Sequence, residues 1–378
     1  MSAALVHEYR RGAFLLATPG STLLAEGEHQ VVAEADPDDL ATGVAKALAD
    51  SGAPLAVGAL PFDPARPAHL VVPEHVRQGD SPHSIEGDPV RDGVLPVSVE
   101  PVPAADAYAR AVATAVARLR APGELRKVVL ARALRLGFAD PVDLAALLPG
   151  LVAANPTGNV FAAPLPGGRT LVGATPELLV AKTGTRVVSN PLAGSVPRGA
   201  TPEQDRARAA ALVASAKDQA EHRVVVEAVE AALRPFCRDL VVPAVPSLVA
   251  TPTVWHLSTR ITGELADPDA SALRLAGALH PTPAICGAPA AAARAAIGEL
   301  EPFDRGFYSG AVGWTAASGD GAWYVAIRCA QVLDREVLLY AGAGIMPDSR
   351  PESEVVETAA KFGTLLRGLG LGKVADSL

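Results

Sequence analysis

Residues 159–190 read NVFAAPLPGGRTLVGATPELLVAKTGTRVVSN. Three β-rich runs, NVFAAPL, RTLVGAT and LLVAKTGTRVVSN, follow one another there with no helical stretch between them. The same texture continues outward, in KVVLARALRLGF upstream and in WYVAIRCAQVLD and VLLYAGAG downstream. Parallel strands need a long crossover, usually a helix, between successive members. Strands joined directly therefore predict an α+β, or mixed α/β, chain built on large antiparallel sheets.

Helical patterns flank these runs. AYARAVATAVARLRAPG keeps small apolar residues on one face, starts near Ala105 and stops at Pro122-Gly123. Residues 201–236 read as one long helical stretch, and 352–370 as a C-terminal helix. Residues 1 to about 100 are rich in Pro and Asp, with short strand-like runs at 13–17, 56–60 and 69–72. The stretch 87–106, GDPVRDGVLPVSVEPVPAAD, favours neither helix nor strand and reads as a connecting loop.

The totals narrow the class of function. Of 378 residues, 49% are hydrophobic and 20% charged, which supports a substantial core and excludes global disorder. With 33 Lys+Arg against 41 Asp+Glu the formal charge is −8, and no basic block offsets it locally, so no nucleic-acid partner is expected. Cys237, Cys286 and Cys329 lie far apart with no zinc spacing, and read as reduced, buried thiols in a cytoplasmic protein. No signal-peptide pattern and no apolar run of spanning length are apparent, so no membrane partner is expected either.

Several positions could carry chemistry. Asp218 and Glu221 are three apart on a helical stretch and share a face, and Glu354 and Glu357 repeat the arrangement, with Lys361 on the same stripe. Two such pairs could form a shell for a hard cation such as Mg²⁺; the spacing alone favours solvated faces with ordinary salt bridges. Lys127 opens the strand KVVLAR and could act as a base, or sit at a strand edge in solvent. Glu177 follows a proline in GATPELLV, where burial could keep it protonated, or it could be a turn residue. Gly194-Ser195 and Gly342/Gly344 mark turns that let backbone N–H groups approach an anion, and neither completes a nucleotide-binding loop. Arg328 interrupts an apolar strand, and a buried arginine needs an anionic partner. His222 and His256 read as polar core or site-lining groups.

Together and in order, KVVLAR, GATPELL, PLAGSVPRG, SAKDQAEH, HPTPAICG, RGFYSGAVGW, VAIRC, AGAGIMPDSRPESE and ETAAK resemble the motifs of the chorismate-utilising enzymes. The resemblance spans about residues 105–370; residues 1–104 match loosely, around ALPFDP and LVVPE, and form a divergent part of what is expected to be one chorismate-binding domain over 1–378. It implies large antiparallel sheets packed in a sandwich with helices outside. It further implies Lys127 as the base that activates water and Glu177 as the acid that protonates a departing hydroxyl. Mg²⁺ would be held by Glu221 and Glu357, with Asp218 and Glu354 acting through water. Ser195, Tyr308, Arg328, Lys361 and the Gly342 backbone would hold the substrate's carboxylates, and Gly194, His256, Ala284, Ile285 and Ile327 would line the same site.

Within the family the chain is most similar to isochorismate synthases of 2,3-dihydroxybenzoate siderophore pathways, at CGAP and at EPFDRGFYSGAVGW. Lys127 stands where anthranilate synthases usually have glutamine, and Ala193 where aminodeoxychorismate synthases often have lysine. The resemblance therefore implies no ammonia chemistry and no glutamine amidotransferase subunit. Ala284 stands where salicylate synthases, which also release pyruvate, generally have threonine. A monomer converting chorismate to isochorismate is the expectation.

Overall fold

The computed structural model describes residues 3–82 and 94–377. Each strand pairing among them is antiparallel, as direct joining of strands requires. Ten of the strands form one sheet, nine a second and three a small third one. The larger sheet pairs Lys127–Gly137 with Glu336–Ile345 at its heart, and the second pairs Leu178–Thr183 with Gly321–Val325. The third consists of Leu192–Pro197, Val254–Ser258 and Ser247–Ala250.

The two large sheets face each other. Phe14, Leu16, Leu23 and Ala133 of the larger meet Leu55, Val57, Ala59 and Val312 of the second in one buried cluster. The outer faces are covered by helices: Leu144–Ala154 and Pro351–Gly368 on the larger sheet, and Pro37–Ser51, Ala216–Leu233 and Ala272–Leu279 on the second. With both faces of each sheet covered, strands such as Leu55–Leu60 are buried at every position, which is why they read as continuous apolar runs.

Residues 1–104 contribute to both sheets. The expected short runs are the strands Phe14–Ala17, Leu55–Leu60 and His69–Val72. The stretch 87–106 departs from expectation: 87–93 lie outside the described residues, and Ser98–Val102 is an edge strand paired with Lys127–Gly137, not a loop. Pro101 and its exposure hid it, since an edge strand tolerates proline and need not be apolar. The helical stretch 201–236 is also two helices, Pro202–Ala214 and Ala216–Leu233. Ser215 separates them, its Oγ accepting the Asp218 N–H at 3.2 Å as the N-cap of the second.

WYVAIRCAQVLD is not one strand either. Gly321–Val325 belongs to the second sheet and Cys329–Leu333 to the larger, and the chain passes from one to the other through 326–328. Arg169–Thr175 and Leu178–Thr183 make the opposite passage through Pro176 and Glu177. The two crossings run antiparallel side by side: Gly173 opposes Cys329 in one sheet and Leu178 opposes Tyr324 in the other. Between them the Val325 N–H donates to the Glu177 carbonyl at 3.1 Å, and the Ala174 N–H to that of Arg328 at 3.0 Å.

A buried ion pair ties this end of the sandwich together. Arg305 donates to both carboxylate oxygens of Glu301, at 2.9 and 2.5 Å, and to the Val129 and Ile285 carbonyls, each at 2.8 Å. Glu301 also accepts the Ala131 N–H at 2.7 Å. Arg305→Met leaves Glu301 buried without its cation, and urea denaturation is expected to show a loss of about 3–5 kcal/mol. A double variant, Arg305→Met with Glu301→Gln, is expected to lose less.

Candidate active site

Glu177 and Arg328 ride on the two crossings, so the switch of sheets brings them to one pocket. Pro176 keeps residue 175 extended and out of helical geometry, which lets the strand run to its end before the chain turns. Glu177 is 3% exposed, and its Oε1 accepts the Leu192 N–H at 3.4 Å. Burial pushes its carboxyl up to about 7, against the pull of Leu192, Lys127 and Arg328. Arg328 is also buried, and burial brings its guanidinium down to about 10.

Arg328 opens a chain of hydrogen bonds. Its Nη2 lies 3.0 Å from His256 Nε2, and His256 Nδ1 lies 2.8 Å from Ser195 Oγ. A guanidinium only donates, so Nε2 must accept and the imidazole proton sits on Nδ1, donating to Ser195. Burial, then the charges of Arg328 and Lys361, hold His256 well below its ordinary pKa and keep it neutral. The Ser195 hydroxyl proton is thus left to donate into the pocket, which all three residues line.

The acidic helices meet across the pocket. Glu221, on Ala216–Leu233, and Glu357 and Lys361, on Pro351–Gly368, line it; Asp218 and Glu354 stand behind them. Lys217 joins the two helices, its Nζ donating to Glu354 Oε1 at 2.9 Å. Lys361 donates to Glu357 Oε1 at 2.5 Å and to the Gly342 carbonyl at 2.9 Å. Burial and then the neighbouring Glu357 push the Glu354 carboxyl up, and Asp218 rises through burial, with Glu221 and Glu357 adding to it. At Glu221 burial is outweighed by Lys127 and the other lysines, and its carboxyl is brought down.

Lys127 stands one layer behind the wall. It is fully buried, and its Nζ lies 3.0 Å from Glu221 Oε1 but without the alignment of a hydrogen bond to any acceptor. That pair exists because residue 344 is glycine: a Cβ there would fall 2.0 Å from Glu221 Oε1 and 3.1 Å from Lys127 Cε. Gly344 thus makes room for a carboxylate, where the sequence read it as a turn that opens backbone N–H groups.

Gly194, Ala284, Ile285, Tyr308, Ile327 and Gly342 also line the pocket, whereas His222 is core, its Nε2 bonded to Thr259 Oγ1 at 2.7 Å. Cys286 and Cys329 are packing residues. Sequence reasoning missed Tyr340 and Ser309, which line the pocket too. Tyr340 stacks on Tyr308 at 4.6 Å between centroids and 6° between planes, giving the pocket a flat aromatic wall. Its signal was strand alternation, since 340, 342 and 344 share a face.

The profile of the family described as chorismate binding enzyme matches residues 87–370. The chain belongs to the chorismate-binding enzyme family. The isochorismate synthase DhbC of Bacillus subtilis is 48% identical, over 98% of this chain and 96% of the relative. A crystal structure from Bacillus anthracis, described as a 2,3-dihydroxybenzoate-specific isochorismate synthase, superposes with a TM-score of 0.93 at 43% identity, covering 98% and 99% of the two chains. MenF, the menaquinone-specific isochorismate synthase of Escherichia coli, superposes with a TM-score of 0.84 at 25% identity, covering 98% and 91%. Among chorismate-binding enzymes this chain is thus of the isochorismate synthase type, an isomerase.

Glu177 makes stability depend on pH. Its folded pKa of about 7 stands above the ordinary 4.5, so between those values the folded chain holds a proton that the unfolded chain has lost. Its contribution therefore falls as pH rises through this window and levels off above it. Glu177→Gln abolishes the titration and is expected to gain on the native chain between pH 4.5 and 8, by at most about 3 kcal/mol. Urea denaturation of both proteins at the two pH values checks this; a difference that stays constant refutes it.

Proposed function

We propose that the protein converts chorismate reversibly to isochorismate, acting as one chorismate-binding domain and as a monomer. The observation that carries this reading is the pairing across one pocket of a protonatable, buried Glu177 with a set of cations able to hold a dianion. Chorismate has two carboxylates, and an acidic chain must neutralise them locally. Arg328, Lys361, the Ser195 hydroxyl and Tyr308 bind them, and the Gly342 backbone borders one. Water adds at C2, both ring double bonds shift, and the C4 hydroxyl leaves. Lys127 takes the proton of the incoming water, and reaches it by leaving Glu221, whose Oε1 lies 3.0 Å from its Nζ. Glu177 gives its proton to the departing hydroxyl, so one water enters and one leaves.

Magnesium fits the donors present. No three His, Cys, Asp or Glu side chains converge among the described residues. Mg²⁺, however, keeps several waters and needs only one or two carboxylates. Glu221 and Glu357 face the pocket with Asp218 and Glu354 behind them, four carboxylates beside Lys127, Lys217 and Lys361. Glu221 and Glu357 would hold the ion directly, and Asp218 and Glu354 through water. When bound, the ion neutralises a substrate carboxylate and withdraws electron density from the ring.

Lys127 and Ala193 speak against ammonia as nucleophile and against an amidotransferase subunit, and Ala284 against pyruvate release. The greater likeness to the 2,3-dihydroxybenzoate-specific structure than to the menaquinone-specific one supports a role in siderophore synthesis. Induction of the protein by iron starvation tests that role.

Incubation with chorismate and Mg²⁺ is expected to yield isochorismate without pyruvate, and chelation to stop turnover; salicylate with pyruvate would overturn the product assignment. Lys127→Ala is expected to lower kcat by about a hundredfold or more. Native kcat/KM should decline above about pH 7 as Glu177 loses its proton. Ala284→Thr is expected to raise pyruvate release, and unchanged pyruvate from an active variant would remove residue 284 as the discriminator.

A further inference from the structure

Ser309 lines the pocket, is 1% exposed, and its Oγ makes no hydrogen bond with the protein. The Tyr308 side chain is its polar neighbour, approached without hydrogen-bond alignment. The backbone at Ser309 is strained, with φ of 58°. Among the described residues only Ser309, Arg328 and Asp334 have positive φ without being glycine, and the first two line this pocket.

The strain is imposed from both sides. The Ser309 N–H donates to the Ala326 carbonyl at 2.8 Å, and the Ala326 N–H to that of Gly310 at 2.9 Å. Gly310 is pressed against the neighbouring strand, where a Cβ would fall 1.9 Å from the Leu60 carbonyl oxygen. Glycine is the residue that adopts such a φ at least cost, and serine adopts it comfortably only where its hydroxyl bonds locally. This hydroxyl does not. A serine here is therefore worse for folding than glycine, which is the mark of a residue kept for the site. The 324–326 segment lies between Ser309 and Glu177: Ala326 bonds Ser309 and Gly310 on one flank, and the Val325 N–H donates to the Glu177 carbonyl at 3.1 Å on the other.

We propose that the Ser309 hydroxyl is a substrate-binding group, donating to a substrate oxygen in this pocket. This rests on the chorismate reading above. A contact made alike in the bound substrate and the transition state appears in KM, with kcat little changed. Steady-state turnover of chorismate with Mg²⁺, together with thermal melting, is to be measured for the native protein, Ser309→Ala and Ser309→Gly. Alanine removes the hydroxyl and keeps the strain; glycine removes both. The expected result is KM raised about tenfold in both variants. Ser309→Ala should melt with the native protein and Ser309→Gly above it. KM within about twofold of native in both variants overturns the inference. So does a rise in Ser309→Ala alone, which would assign the effect to backbone geometry. A native protein that neither binds nor converts chorismate overturns the underlying reading instead, and is told apart by failing before any substitution is made.

Discussion

The site depends on a topological constraint: two antiparallel partners leave one sheet together and enter the other together. A strand can change sheets only by breaking its ladder for a few residues, and the freed backbone groups must find partners. Here each crossing supplies the other's, through Val325 to Glu177 and Ala174 to Arg328. Crossing residues belong to neither ladder, so although Ala326 still packs into the core between the sheets, their side chains need not follow either sheet's alternation. Glu177 and Arg328 are thus free to face the gap at the end of the sandwich, still buried by its walls.

Everything else at the site closes that gap. The larger sheet brings Lys127 and the 340–344 face, the third sheet brings Ser195 and His256, and the two acidic helices roof it. Arg305 and Glu301 lock the loop carrying Ile285 to the strand carrying Val129 and Ala131. A buried arginine–glutamate pair is costly to assemble, and its arms here go to backbone groups that shape the pocket.

Burial also separates the charges by role. Desolvation raises Glu177 and lowers His256, so an acid able to give a proton faces a neutral imidazole that only relays hydrogen bonds. On the acidic helices burial likewise raises Asp218 and Glu354, with neighbouring carboxylates adding to it, whereas at Glu221 burial is outweighed by Lys127 and the other lysines.

The sequence by itself determined the fold class, because strands joined without helices can pair only antiparallel, and it drew attention to Lys127, Glu177, Arg328 and the two acidic pairs through residue types out of keeping with their surroundings. Helical spacing put Asp218 with Glu221 and Glu354 with Glu357, since i and i+3 share a face whatever the tertiary context. Tertiary structure alone decided that WYVAIRCAQVLD breaks at Arg328, for an apolar run looks the same whether it stays in one sheet or passes between two. It alone decided that Lys127 lies behind Glu221 and that Gly344 gives them room, since a glycine's letter does not say which distant side chain approaches it. Ser309 and the Ser98–Val102 edge strand escaped reading for a related reason: their surroundings come from residues remote in the chain, and neither a strained φ nor an edge position leaves a local pattern.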